Sequence, residues 1–168
     1  MIEENDYHLN TGFLATPFLC RVLSDYGHTD TAYRLLLQDT SPSWLYPVKH
    51  GATTIWESWD GVRADGTVHD SMNHYAYGAI SGWLMGDVFG IRLSEGKLTI
   101  APKPSKALIY AEAEWISPVG IIKSKWHYEQ EQIVLEVTIP ANATAEIRLP
   151  DGHTVDAKAG IHMYSCKA

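Results

Sequence analysis

The 168-residue chain is short of cysteine, of phenylalanine and of positive charge, and each shortage removes a class of answer. Its two cysteines, Cys20 and Cys166, lie at opposite ends, and two free thiols in a reducing compartment are expected. No Cys/His spacing resembles a zinc site, so neither metal nor cofactor is expected. A net charge of −7 leaves no basic stripe to neutralise phosphates, which argues against nucleic acid. The one short basic cluster, Lys103 and Lys106, is interrupted by Pro104 and reads as a solvated loop. No uninterrupted apolar run is long enough to cross a bilayer, so no membrane partner is expected. The first residues are acidic and show no apolar signal region, and the expectation is a soluble, cytoplasmic chain. Internal repeats and low-complexity tracts are also missing.

What is present is ordinary globular material, 45 % apolar and 20 % charged, with an aromatic bias. Trp (six) and Tyr (nine) outnumber Phe (three), which favours rings carrying a polar handle. Such rings suit wet binding surfaces and large cores alike.

The character of the sequence changes near Gly90 to Gly96. Before it the spacing is helical. Thr16-Pro17 opens a helix with Phe18, Leu19, Val22, Leu23 and Tyr26 at helical spacing, and Gly27 stops it. Thr29 or Asp30 caps a second helix through Leu37, and 41–51 is loop or short helix. A third helix is expected over 71–89, with Asp70 as its N-cap. Its Gly78, Gly82 and Gly86 strip one face, which predicts a neighbouring helix packed closely along it. After Gly96 the period is that of strands, expected at 97–101, 108–117, 121–128, 133–139, 143–149 and 160–165. Gly120, Pro140-Ala141-Asn142 and Asp151-Gly152 supply turns, and the Asn142 sequon reads as part of one. Trp115 and Trp126 fall within strands as core or inter-strand residues. The reading is a two-part α+β chain, helical hairpins (1–92) followed by an antiparallel β-sandwich (93–168).

The chemistry concentrates in Gly51 to Gly61, where Glu57 stands between Trp56 and Trp59 and Asp60 follows. Indole faces suit the C–H faces of a sugar, and a carboxylate among them loses solvation. That is the setting of a general acid or base of glycoside hydrolysis. The same residues also suit a buried aromatic cluster whose Glu caps a helix or pairs with an Arg, and Asp60-Gly61 is a common turn pair.

Thr11-Gly12-Phe13-Leu14-Ala15-Thr16-Pro17-Phe18-Leu19, Ala32-Tyr33-Arg34-Leu35-Leu36, Pro42-Ser43-Trp44-Leu45-Tyr46, Gly51 to Gly61 and Asn73-His74-Tyr75-Ala76-Tyr77-Gly78-Ala79 together resemble the C-terminal part of bacterial α-L-rhamnosidases, glycoside hydrolase family 78. The resemblance implies the last hairpins of an (α/α)6 catalytic barrel, a partial toroid, followed by a β-sandwich. It implies an inverting mechanism, in which acid and base stand roughly 6.5–9.5 Å apart to admit a water. The family's base maps onto Glu57 and its sugar-contacting His onto His74. Trp56 and Trp59 become walls of the site, with Trp59 the more solvent-facing, and Asp60 orients a neighbour or a water.

The family's general acid belongs to an upstream motif that nothing in this sequence matches. The resemblance therefore implies L-rhamnose-containing glycosides as substrates only together with the upstream part of the barrel, and no hydrolysis by these residues alone. Competing expectations are a carbohydrate-binding or accessory β-sandwich module, and an inert remnant. A homo-oligomer through exposed helix faces is expected of the isolated chain. Trehalase- or glucoamylase-like (α/α)6 glycosidases resemble it less.

Overall fold

A computed structural model describes residues 2–63 and 65–168, and the chain divides into two compact units, Met1–Ser81 and Gly82–Ala168. The first is helix and loop, and the second is built on a sheet.

In the first unit α1 spans Thr16–Asp25, with Pro17 in its opening turn, and Gly27 at φ +82° ends it. Helix α2 spans Thr29–Leu37 from a His28 N-cap. The cap is thus neither Thr29 nor Asp30; Asp30 instead sits in the first turn, where a carboxylate meets the positive end of the helix dipole. Helix α3, Leu45–Lys49, is the short helix of the proline-rich stretch.

The buried face of α1 is the reverse of the one its apolar spacing suggests. Thr16, Cys20 and Ser24 are inside, and the Cys20 thiol donates to the Ala32 carbonyl of α2. Leu14, Phe18, Val22 and Tyr26 form an outward stripe, 91, 65, 51 and 79 % exposed. A stripe of four large apolar side chains facing water is unusual enough to need a cause.

The helix expected over 71–89 begins only at Ala76. Ahead of it, side chains take the backbone groups that a helical turn would use. Ser71 Oγ donates to the Asn73 carbonyl and accepts the Asn73 N–H, while His74 Nδ1 accepts the Ala76 N–H. Asp70 is not an N-cap; it holds φ +58° and bonds to Ser58 and His69. A tight turn at Ala76–Ala79 leads into α4, Ile80–Trp83, and a wider turn follows at Leu84–Val88. Gly78 and Gly82 do not face a close helix. A Cβ at Gly82 would meet no atom within 4 Å, and one at Gly78 would meet only the Ile55 side chain at 3.4 Å.

The second unit holds β1 (Ile91–Ser94), β2 (Lys97–Ile100), β3 (Tyr110–Ser117), β4 (Gly120–Glu129), β5 (Gln132–Arg148) and β6 (Thr154–Lys167). They form one sheet in the order β1-β2-β5-β4-β3, with β6 also on β5. Every pairing is antiparallel except β2 with β5. The helical-then-β order read from periodicity is the order observed.

The sequence reading differs in four details: the last strand, expected at 160–165, is β6 from Thr154 to Lys167, the β2–β5 pair is parallel, and two changes concern strand number. Strand β1 was not anticipated; Glu95 and Gly96, both at positive φ, make the two-residue turn that folds it onto β2. The strands expected at 133–139 and 143–149 are one long β5, since Pro140 to Asn142 produce a register shift rather than a reversal. Alternate residues of β4 and β5 face inward, giving a core of Ile122, Trp126, Leu135, Val137 and Ile147 at zero exposure.

The turn preceding β1 is fixed to this core. Trp126 Nε1 donates to the Val88 carbonyl at 2.7 Å and Ser124 Oγ donates to the Phe89 carbonyl at 2.7 Å. These bonds explain why the compact second unit includes residues that read as helical. Asp87, fully buried, anchors the same turn through Arg92 Nη2 at 2.8 Å and Lys103 Nζ at 2.9 Å.

Candidate functional site

Residues 54–63 and 67–74 run alongside each other as an irregular two-armed loop within the first unit. The rungs are backbone bonds: Glu57 N–H to the Ser71 carbonyl (2.9 Å), His69 N–H to Gly61 (3.0 Å), Arg63 N–H to Thr67 (2.9 Å) and His74 N–H to Ile55 (2.8 Å). Val62 pairs with Val68 as an isolated bridge, and Thr54 Oγ1 donates to the Met72 carbonyl. The two motifs singled out in the sequence, the one around Glu57 and the one around His74, are therefore stitched together by main-chain hydrogen bonds. Backbone pairing of this kind fixes where the side chains start, whatever their rotamers.

Glu57 is half-buried. Its Oε2 accepts the Ser71 N–H at 3.0 Å, so the carboxylate is oriented from the opposite arm. It neither caps a helix nor carries an arginine partner among the described residues. His74 stacks on Phe13 (ring centroids 4.7 Å apart, planes at 20°) and on Tyr75 (5.1 Å, 16°). Because its Nδ1 accepts the Ala76 N–H, the ring proton belongs on Nε2, which has no partner among the described residues.

The two tryptophans separate as expected: Trp56 is 5 % exposed, while Trp59 is partly open. Trp59 lies flat on Tyr77 (3.6 Å, 17°) and meets Trp44 edge-on (5.7 Å, 85°). Trp44 Nε1 in turn donates to the Tyr77 carbonyl at 3.0 Å. Phe13 touches Tyr77 at 5.2 Å, so Trp44, Trp59, Tyr77, Phe13 and His74 form a continuous run of rings. Burial pushes the Tyr77 phenol above its usual pKa.

Trp44, Trp56, Trp59 and Tyr77 also line a cavity of about 270 Å³ with Pro47 and Ile55. Glu57 does not line it. The tryptophans thus supply an apolar wall beside the carboxylate rather than enclosing it.

Asp60 is exposed, and its carboxylate and carbonyl both face His69 Nε2, at 3.3 and 3.0 Å. His69 Nδ1 meets the Asp70 carboxylate at 2.9 Å. The hydrogen bond donated to Asp70 chiefly raises the His69 pKa, and hydrogen bonds from Ser58 and His69 lower that of Asp70. Sequence reasoning missed Phe13, Tyr77 and His69 as members of this region. Only the first two carried a signal, lying inside motifs that marked the resemblance.

The fold defines a segment of helices and loops followed by a β domain. The first part matches the bacterial alpha-L-rhamnosidase 6 hairpin glycosidase domain over residues 1–88, and the second matches the bacterial alpha-L-rhamnosidase C-terminal domain over residues 96–163. The chain belongs to the bacterial α-L-rhamnosidase family, as its C-terminal part. An α-L-rhamnosidase of Formosa agariphila is 43 % identical over 164 residues, covering 94 % of this chain and 18 % of the relative. The crystal structure of Streptomyces avermitilis α-L-rhamnosidase complexed with L-rhamnose superposes with a TM-score of 0.88 at 37 % identity, covering 99 % of this chain and 19 % of that one. Native α-L-rhamnosidase from Aspergillus terreus gives a TM-score of 0.93 at 34 % identity, over 99 % of this chain and 21 % of that one. The chain spans 16–18 % of the length of the curated relatives it matches first.

Proposed function

We propose that this chain supplies the general-base half of an inverting α-L-rhamnosidase site. Glu57 takes the proton of a water that attacks the anomeric carbon. An acid carried outside these 168 residues protonates the leaving oxygen from the opposite face. His74, through Nε2–H, donates to a sugar hydroxyl, and the partly open Trp59 offers its edge to the ring's apolar side. Asp60 acts on the loop rather than on the sugar. The observation that carries this reading is the main-chain pairing of the Glu57 and His74 arms, which brings one oriented carboxylate and one ring N–H donor to the same loop.

The outward stripe of Leu14, Phe18, Val22 and Tyr26 supports a partner for α1. In a complete hairpin toroid that partner is a neighbouring helix; in the isolated chain it is a second copy. Trp126, buried in the sheet, offers nothing to a sugar.

The test is hydrolysis of a chromogenic aryl α-L-rhamnoside. The isolated chain should be silent. A chimera in which it replaces the corresponding segment of the Streptomyces avermitilis enzyme should turn over, and Glu57→Gln should lower kcat by roughly 10²–10⁴. Turnover by the isolated chain, abolished by Glu57→Gln, would instead place the acid within it, with Asp60, Asp65 and Asp70 the first candidates.

A further inference from the structure

The loop that carries Glu57 is closed by a group that the proposed chemistry does not use. His69 stands on the second arm and reaches both arms at once. Its Nε2 faces the carbonyl and carboxylate of Asp60 at 3.0 and 3.3 Å, and its Nδ1 faces the Asp70 carboxylate at 2.9 Å. Asp70 also accepts the Ser58 hydroxyl from the first arm. Ser58 and Asp70 immediately flank the rung in which Glu57 and Ser71 exchange two hydrogen bonds, N–H to carbonyl at 2.9 Å and Ser71 N–H to Glu57 Oε2 at 3.0 Å. The side-chain bridge therefore encloses the rung that aims the carboxylate.

We infer that His69 is a positioning residue, an imidazolium clasp between Asp60 and Asp70 that holds the two arms together and so fixes the Glu57 carboxylate. Only the doubly protonated ring can donate to both arms, because a neutral imidazole has a single N–H. Three charged groups face it: Asp60 and Asp70 favour the cation, and Arg63 opposes it. The side chain is 24 % exposed, so the pairs are only partly screened by water.

The direction with pH follows from these partners. His69 has its pKa raised by folding, so the clasp is fully formed on the acid side and is lost as pH rises through that raised value. Asp70 has its pKa lowered, so its part is lost only as pH falls through a value below the ordinary carboxylate range. Between the two lies the window in which the loop is closed.

This inference rests on the general-base reading for its consequence in catalysis, but its test does not require turnover. Amide hydrogen exchange of the isotopically labelled full chain reads the Ser71 N–H, the donor to Glu57, directly. Protection of that amide, corrected for intrinsic exchange, should hold at mildly acidic pH and fall as His69 loses its proton. His69→Ala should lower it about tenfold or more at mildly acidic pH while the α2 amides keep theirs. His69→Gln, whose amide can still donate to the Asp60 carbonyl on the first arm, should restore part of the protection and remove the pH step. Ser71 protection within twofold of wild type in His69→Ala, or a pH step that persists in His69→Gln, would overturn the proposal. If His69→Ala also loses α2 protection, His69→Gln alone decides. A clasp that passes this test beside a Glu57→Gln chimera that keeps full activity would refute the general-base reading and leave His69 in place.

Discussion

Replacing Asp87 by alanine should destabilise the second unit more than any surface change. Asp87 has no exposed area, and its Oδ1 accepts from Arg92 Nη2 at 2.8 Å and Lys103 Nζ at 2.9 Å. Its own carbonyl takes the Lys103 N–H at 2.7 Å, so the residue ties the turn at Leu84–Val88 to both β1 and the segment after β2. Removing one member of a buried ion cluster costs about 3–5 kcal/mol, because the remaining charges stay where they are without compensation. Here both cations retain some access to water, with side chains 32 and 28 % exposed, which moves the expected loss to the low end, about 3 kcal/mol.

For a chain of this size that corresponds to a fall in Tm of about 6–12 °C. Urea unfolding followed by indole fluorescence is a suitable assay, since Trp126 is fully buried and bonded to the Val88 carbonyl next to Asp87. Asp87→Asn keeps the shape and one acceptor, and should lose less. A midpoint shift in Asp87→Ala equivalent to under about 1 kcal/mol would refute the argument, since that is the scale of a solvent-exposed ion pair.

Two further outcomes follow from the same geometry. Gly90→Ala should destabilise the chain by about 1–3 kcal/mol or more in thermal unfolding. The residue holds φ +75° and a Cβ would stand 2.2 Å from the Pro102 nitrogen, which is backbone and cannot swing aside. Conversely, the triple change Phe18→Ser, Val22→Ser and Tyr26→Ser should leave the isolated chain's unfolding midpoint nearly unmoved, because those side chains already face water. It should abolish concentration-dependent association in sedimentation velocity, and association that survives it would show that the copies meet elsewhere.

Much of this was legible in residues whose meaning is local. Gly27 and Gly152 sit at positive φ where the chain turns, and Trp126, read as a core or inter-strand residue, is fully buried, whereas Trp115 on β3 is only partly so. Trp59 is the more open of the two tryptophans, as expected, although their spacing of three residues alone does not decide which one packs inward. The failures share a cause: the outcome was set by partners distant in sequence. The spacing of α1 shows an apolar face correctly, yet no described residue covers it, so the packing residues are the small Thr16, Cys20 and Ser24. Residues 71–75 have helical neighbours, but their backbone groups are taken by the arm at 54–57 and by their own side chains. Pro140 to Asn142 carry turn chemistry that pairing on β6 converts into a bend within one strand. His69 gave no sequence signal at all, because its role exists only once Asp60 and Asp70 are brought to its two ring nitrogens.

The general-base role of Glu57 is tested most directly by the anomeric form of the first product released by the chimeric enzyme from an aryl α-L-rhamnoside, followed by proton NMR before mutarotation. Attack by a water that Glu57 deprotonates inverts the centre, so β-L-rhamnose should appear first and the α form only as the sugar equilibrates. If α-L-rhamnose appears first, the configuration is retained and Glu57 does not act as the base of a single displacement.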